Sequence, residues 1–256
     1  MKEQLTVDEI NQFERDGFVR IDNAFPTETA NAAVDILWRD LGVDRHDPKT
    51  WDKPVIRLWD YPQAPFKEAV NMPLLHHAFD QLVGKGRWFP RGSLGSFPVR
   101  FPSELDPGDT GWHTDGSFSD DGGPWRLNVR SRERALLMLF LFSDTEQKDA
   151  PTRILVGSHL DIPKLLEPHG ENGLNFIEVA QRFEKSTLER PIALATGKAG
   201  TVYLCHPFLV HGAQPNHGTQ PRFLAQPALL GQIDPFAAGR IFSPVERAIR
   251  EGLGLK

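Results

Sequence analysis

The spacing of apolar positions divides the chain near residue 86. Before it, hydrophobic residues recur at helical intervals. Val7, Ile10 and Phe13 share one face of a helix predicted over 6–16, with Thr6 as its N-cap and Glu9 completing a capping box. Gly17 closes that helix, and Phe18-Val19-Arg20-Ile21 reads as a strand. A second helix is predicted from about Thr27 to Leu41, on Ala30, Val34, Leu37 and either Trp38 or Leu41, with Gly42 after it. The stretch 43–65 is rich in Pro, Asp and Trp, and only Val55-Ile56-Arg57-Leu58 looks extended. A third helix is expected from about Pro73 to Val83, turning Leu75, Phe79 and Leu82 inward.

From Gly86 the apolar runs shorten, and Gly and Pro recur every few residues. Strands are expected at 93–101, 110–115, 134–142, 153–157, 191–195, 200–205, 208–213 and 222–230. The run from Ala135 to Phe142 is apolar throughout, and its length and the turn-like Ser143-Asp144 favour a strand buried on both faces. Residues 161–188 interrupt the β pattern with a polar, mostly helical insertion. About eight strands in two facing sheets make a jelly roll, so the fold class expected is mainly β (α+β), with a helical N-terminal part of about 1–85 packed on a β core of about 86–232. No repeat, low-complexity tract or long linker argues for more than one domain over 1–256.

Composition narrows the function classes. The net charge of −5 comes from interspersed acidic and basic residues, without the clustered basic face that a nucleic-acid partner needs. The single cysteine, Cys205, excludes an internal disulfide and a zinc ribbon, and fits a reducing compartment. The start, MKEQLTVDEI, is too polar for a signal peptide, and no apolar run nears the ~18 residues of a membrane span. The expectation is a cytoplasmic protein acting on a small molecule, with no nucleic-acid or membrane partner.

The chemistry points to Gly111-Trp112-His113-Thr114-Asp115-Gly116. In an extended segment, side chains two apart leave the same face, so His113 and Asp115 can converge on one metal ion. A third ligand must come from elsewhere among the nine histidines. His46, His76, His77 and His169 fall in polar loops or helices and read as surface residues, and His217 in Pro-Asn-His-Gly reads as solvent-facing. His159 ends the turn Val156-Gly157-Ser158-His159, where a structural role is as good a reading as a functional one. His206 and His211 both remain open as the third ligand. Two histidines and a carboxylate suit iron(II), and also zinc or manganese. Arg222, in the otherwise apolar Pro221-Arg222-Phe223-Leu224-Ala225, is costly to bury unless paired. Its partner is either a ligand carboxylate, which a guanidinium grips as a fork, or a protein Asp or Glu.

The chain resembles the phytanoyl-CoA dioxygenase family of iron(II)- and 2-oxoglutarate-dependent oxygenases. Phe13-Glu14-Arg15-Asp16-Gly17-Phe18 is similar to the family's F-x-x-D-G-F segment, and Trp112-His113-Thr114-Asp115 to its W-H-x-D motif. Val156-Gly157-Ser158-His159 resembles its P-G-S-H turn, with Val156 in place of proline. His211, with Arg222 eleven positions on, matches the distal histidine and the co-substrate arginine. The resemblance implies a double-stranded β-helix, a jelly roll of the cupin kind. It implies that His113, Asp115 and His211 bind Fe(II), and that Arg222 holds the far carboxylate of 2-oxoglutarate, with O2 as the oxidant. Relatives often place a hydroxyl two residues after the distal histidine, where this chain has Ala213; Thr152 is the candidate substitute. Halogenating relatives lack the metal carboxylate, so the intact Asp115 implies hydroxylation, with release of succinate and CO2.

The substrate is less legible. Trp112, Trp125 and Arg153 are the candidate substrate-binding residues, with Arg126, Asn128 and Arg130 near the same mouth. The run Arg126, Arg130, Arg132, Arg134 is either an attractor for an anionic substrate or, more simply, a set of solvated surface charges. The basic groove that a nucleotide-bearing acyl substrate would favour is not evident. Segment 161–188 is either a lid or a surface insertion. Two rival readings use the same residues: a zinc hydrolase activating water on His/Asp/His, and a non-catalytic jelly-roll protein that binds a metal or ligand. Arg222 has no part in the hydrolase.

Overall fold

The computed structural model describes residues 3–120 and 122–255. Helix α1 (Val7–Asp16) starts at the predicted capping box, with Thr6 and Glu9 exchanging both hydrogen bonds. Gly17 ends it at φ 85°, and a Cβ there would lie 2.5 Å from Nδ1 of His159. Strand β1 (Phe18–Ile21) and helix α2 (Thr27–Asp40) follow, then β2 (Val55–Leu58), α3 (Ala64–Val70) and α4 (Pro73–Leu82). Next come β3 (Phe97–Arg100), β4 (Arg126–Leu127), β5 (Arg134–Leu141) and β6 (Arg153–Leu155). The inserted segment holds α5 (Ile162–Leu166), β7 (Leu174–Asn175), α6 (Phe176–Ala180) and α7 (Lys185–Leu188). The remaining strands are β8 (Ile192–Leu194), β9 (Val202–Cys205), β10 (His211–Gly212), β11 (Leu224–Ala225) and β12 (Ala228–Leu230), and helix α8 (Pro244–Leu253) closes the chain.

The fold is a double-stranded β-helix. Its larger sheet runs β1-β9-β5-β11, with β12 also on β5, and all pairs are antiparallel. The smaller sheet runs β10-β6-β8. β5 lies at the centre, and alternation explains its unbroken apolar run. Leu137, Leu139 and Leu141 face the smaller sheet and pack with Ile154, Ala195 and Leu209. Leu136, Met138, Phe140 and Phe142 belong to the other core, with Phe25, Phe66 and Phe79 of the helical layer. Burying both faces removes the polar half of the usual strand pattern.

Several boundaries differ from expectation. Residues 110–115 form no strand; a single bridge pairs His113 with His211, after which the chain leaves the ladder toward Gly116. The predicted strand 222–230 is split, because Pro227 has no N–H to donate and the Gln226 N–H is drawn to Ser96 O at 3.1 Å. Only 211–212 of 208–213 is strand, since a turn at Pro207-Phe208 closes Leu209 N–H on His206 O. Helices α3 and α8 lie outside the predicted elements, although Ser243 and Glu246 carry a complete capping box with Pro244 at the first helical position. The insertion is pinned to the body through β4–β7.

Candidate metal centre

Three elements bring the site together. β10 carries His211, the single bridge sets His113 directly opposite it through two 2.9 Å backbone hydrogen bonds, and Asp115 follows two residues on. The imidazole centroids lie 4.5 Å apart. One Asp115 oxygen, Oδ1, is 3.9 Å from Nε2 of His113 and 3.8 Å from Nε2 of His211. One ligand atom from each of the three residues lies within 4.8 Å of the others, the one such cluster among the described residues.

The protonation pattern suits a cation. Nδ1 of His113 lies 3.0 Å from Gly111 O, and Nδ1 of His211 lies 3.0 Å from Leu209 O. A carbonyl only accepts, so each Nδ1 carries the proton and each Nε2 presents its lone pair to the site. Burial pushes His211 down to about 4, which keeps it neutral. Burial alone would raise Asp115, but the charge of Arg134 and then the two imidazoles hold it below its ordinary value. Arg134 Nη1 donates to Asp115 Oδ2 at 2.8 Å, leaving Oδ1 for a metal, while its Nη2 donates to Gly116 O at 3.0 Å. Two imidazoles with Nε2 turned to the site, His211 held neutral by burial, and one ionised carboxylate oxygen, each braced from behind, fit a divalent transition-metal ion.

His206 does not reach this cluster. It is fully buried, with Nε2 3.2 Å from Val245 O and Nδ1 accepting from Phe208 N–H, and its ring lies tilted against His159 with centroids 4.9 Å apart. His159 itself is buried, with Nε2 at 2.9 Å from Glu14 O, so it ties the turn to α1. His46, His77, His169 and His217 are exposed as expected. His76 differs: it is half-buried, set 4.9 Å from the Trp88 ring and 3.1 Å from Asn71 Oδ1.

Beside the two imidazoles opens a cavity of about 130 Å³, with Thr152, Ala213, Arg222 and Arg100 in its wall. Arg222 is 2% exposed. It donates to Ala150 O and, at 3.1 Å, to Pro98 O, and its Nε has no partner. No carboxylate pairs with it among the described residues, so the salt-bridge reading of Arg222 does not hold. Burial, and then the neighbouring Arg100 charge, push Arg222 down to about 9. An unpaired buried cation in the wall of the same 130 Å³ cavity as His113 and His211 is the chemistry expected of an anion-binding wall, and it fits a 2-oxo diacid that reaches from metal to arginine. A larger groove of about 730 Å³ lies between α2 and the loops around Asp144 and Gln220, but it holds no converging ligand set.

The other candidates are scattered. Trp112 is half-buried beneath the Arg153 guanidinium, 4.5 Å from its ring, and Arg153 donates to Thr110 O and Ala213 O. Trp125 is 56% exposed and packs against Gly116, where a Cβ would lie 2.7 Å from the Trp125 Cβ. The arginine run divides: Arg130 and Arg132 keep much of their side chains in solvent, as the surface reading expects, while Arg134 turns inward. Arg126 donates to Asn172 O and Gly173 O, Arg130 pairs with Glu171 and Asp234, Arg132 with Asp120, and Arg134 with Asp115. Asn128 likewise donates to Glu171 O at 3.0 Å. Arg134 and Arg100 are the site residues that sequence reasoning missed; Arg100 in Val99-Arg100-Phe101 carries the same signal as Arg222, a lone cation in a buried strand.

The family model described as phytanoyl-CoA dioxygenase (PhyH) matches residues 13–224. The chain belongs to that family. It is a non-haem iron, 2-oxoglutarate-dependent dioxygenase by that membership. A similar curated protein is the ectoine dioxygenase of Bordetella bronchiseptica, 24% identical over 237 residues, covering 83% of this chain and 71% of the relative. Among solved structures, the non-haem α-ketoglutarate-dependent carbocyclase SnoK from nogalamycin biosynthesis aligns with a TM-score of 0.60 at 17% identity, over 89% of this chain and 84% of that one. HygX from Streptomyces hygroscopicus, solved with nickel, 2-oxoglutarate and hygromycin B, aligns with a TM-score of 0.55 at 19% identity, over 89% and 88%. These two share the fold. No helix among the described residues is long and apolar enough to cross a membrane.

Proposed function

We propose that this family member hydroxylates a C–H bond of a small organic molecule, with His113, Asp115 and His211 as its iron ligands and Arg222 as the anchor of the 2-oxoglutarate distal carboxylate. The observation that carries this is a two-imidazole, one-carboxylate cluster beside a buried arginine with no carboxylate partner among the described residues. Bound iron with 2-oxoglutarate and O2 supplies the oxidation, with succinate and CO2 released. The chain's part is placement. The paired backbone at 113 and 211 orients both imidazoles, and Arg134 turns one oxygen of Asp115 to the metal. An intact Asp115 fills the position that a halide would need, which favours hydroxylation.

The 130 Å³ cavity has space for roughly four waters, enough for a short diacid and little more. The substrate then approaches from the open side of Asp115, where exposed Trp125 stands beside Gly116, with Trp112 and Arg153 flanking Gly212 on the other side. The experiment is anaerobic. Iron(II) and then 2-oxoglutarate are added to metal-free protein, and the visible charge-transfer absorption of a chelated 2-oxo acid is followed, in the native chain and in Arg222→Ala. A band that requires 2-oxoglutarate and weakens several-fold in affinity in the variant is expected. No band, with tight zinc binding instead, would support the hydrolase or binding-protein reading of the site.

A further inference from the structure

We propose that Arg100 is a second anchor for the distal carboxylate of 2-oxoglutarate, in the role that a hydroxyl two residues after the distal histidine would otherwise fill. This rests on the assignment of Arg222 above. Ala213 offers only a methyl group to the cavity, and the Thr152 hydroxyl in the same wall is uncharged, so a second cation is the stronger partner for the carboxylate there. Arg100 and Arg222 stand directly opposite in an antiparallel pair that exchanges both backbone hydrogen bonds, at 3.2 and 2.8 Å. Residues so paired send their side chains to the same face of the sheet. Both line the same cavity, and both are 2% exposed.

The charge balance of that wall is incomplete. Arg100 spends one nitrogen, Nη2, on Asp109 Oδ2 at 2.7 Å. Its Nε and Nη1 are buried without a partner. Asp109 is shared, because Arg57 donates to the same oxygen. One carboxylate therefore faces two guanidiniums, and Arg222 adds a third with no carboxylate of its own. Two buried guanidiniums side by side repel unless an anion lies between them. A ligand carboxylate with two oxygens satisfies both, taking the edge of Arg222 that carries its unpartnered Nε on one side and an unused nitrogen of Arg100 on the other. The alternative is that Arg100 serves only as a structural partner of Asp109, which leaves Nε and Nη1 unexplained.

A matched pair of ligands separates binding from folding. Anaerobic iron-loaded protein is titrated with 2-oxoglutarate and with 2-oxopentanoate, which has the same chain length and no distal carboxylate, and the charge-transfer absorption gives both affinities. The native chain is expected to prefer 2-oxoglutarate strongly. Arg100→Leu is expected to weaken 2-oxoglutarate about tenfold to a hundredfold while leaving 2-oxopentanoate unchanged. Equal weakening of both ligands, or an unchanged preference in Arg100→Leu while Arg222→Leu loses it, would overturn the proposal and leave the Arg222 reading standing. A native chain that does not discriminate the two ligands would overturn both. Should Arg100→Leu fail to fold, Asp109→Asn serves instead: removing the competing carboxylate is expected to raise the preference for 2-oxoglutarate, and a preference that stays level or falls would overturn the proposal.

Discussion

At the scale of single residues, the geometry of the candidate metal centre includes a side chain that contributes no ligand atom. Arg134 opens β5, and its guanidinium holds Asp115 Oδ2 at 2.8 Å and Gly116 O at 3.0 Å. The bond to Oδ2 decides which carboxylate oxygen faces the imidazoles, and the arginine charge keeps the carboxyl ionised against the effect of burial. Groups behind metal ligands commonly account for a tenfold to hundredfold of affinity. Arg134→Gln is therefore expected to weaken iron(II) binding by about that factor without unfolding the chain. A competition titration against a coloured chelator measures it, with circular dichroism as the control, and unchanged affinity would remove Arg134 from the site. In the sequence Arg134 looks like one more member of a surface arginine run; only its position at the start of a buried strand hints at more.

At the scale of elements, the last helix is fastened by one buried acid. Glu246 is the third residue of α8 and caps it through Ser243, whose N–H it accepts at 2.9 Å. The same carboxylate takes Arg87 Nη1 at 3.0 Å, Arg240 Nη1 at 2.8 Å and the Asp234 N–H at 2.8 Å. Burial would raise its proton affinity, but the two arginines and the backbone donors hold it well below the usual carboxylate range. Removing one partner of a buried ionic network costs roughly 3–5 kcal/mol, because the remaining charges lose their counter-ion. Glu246→Ala is expected to lose stability of that order in urea unfolding. A loss under about 1 kcal/mol would mean that Val245, Ala248 and Ile249 dock the helix on their own.

At the scale of the whole molecule, acid stability is set where three parts of the chain meet. His159 follows β6, His206 follows β9, and their rings meet at a tilt with centroids 4.9 Å apart between α1 and α8. Burial pushes His159 down to about 4 and His206 well below its ordinary value. Around His159, the Arg190 charge also lowers it, while the Glu14 carbonyl, Asp161 and Asp16 act the other way. Both are neutral when folded and take up protons near 6.5 when unfolded, so the unfolded state binds more protons as the pH falls. Stability is therefore complete above about 6.5 and is lost as the pH drops from there toward 4, by up to about 1.4 kcal/mol per unit for each histidine. Urea unfolding at pH 7.5 and at pH 5 checks it; equal stability at both would show that the pair is solvated or already charged.

The sequence by itself carried what short-range chemistry encodes. The capping box at Thr6 and Glu9, the apolar β5 and the His113–Asp115 pair were legible as local patterns of side chains, while the spacing from His211 to Arg222 took its meaning from the family resemblance. A jelly roll was legible too, from the rhythm of short strands and turns, which the family resemblance sharpened to a double-stranded β-helix. Tertiary structure decided what depends on which strands become neighbours. It chose His211 over His206, since a turn at Pro207 sends one imidazole to the site and buries the other under α8. It placed Arg100 opposite Arg222 and Arg134 behind Asp115, across 122 and 19 positions of chain. Antiparallel pairing sets such contacts by register over long loops, and nothing in the residues of one strand names the strand that will lie beside it.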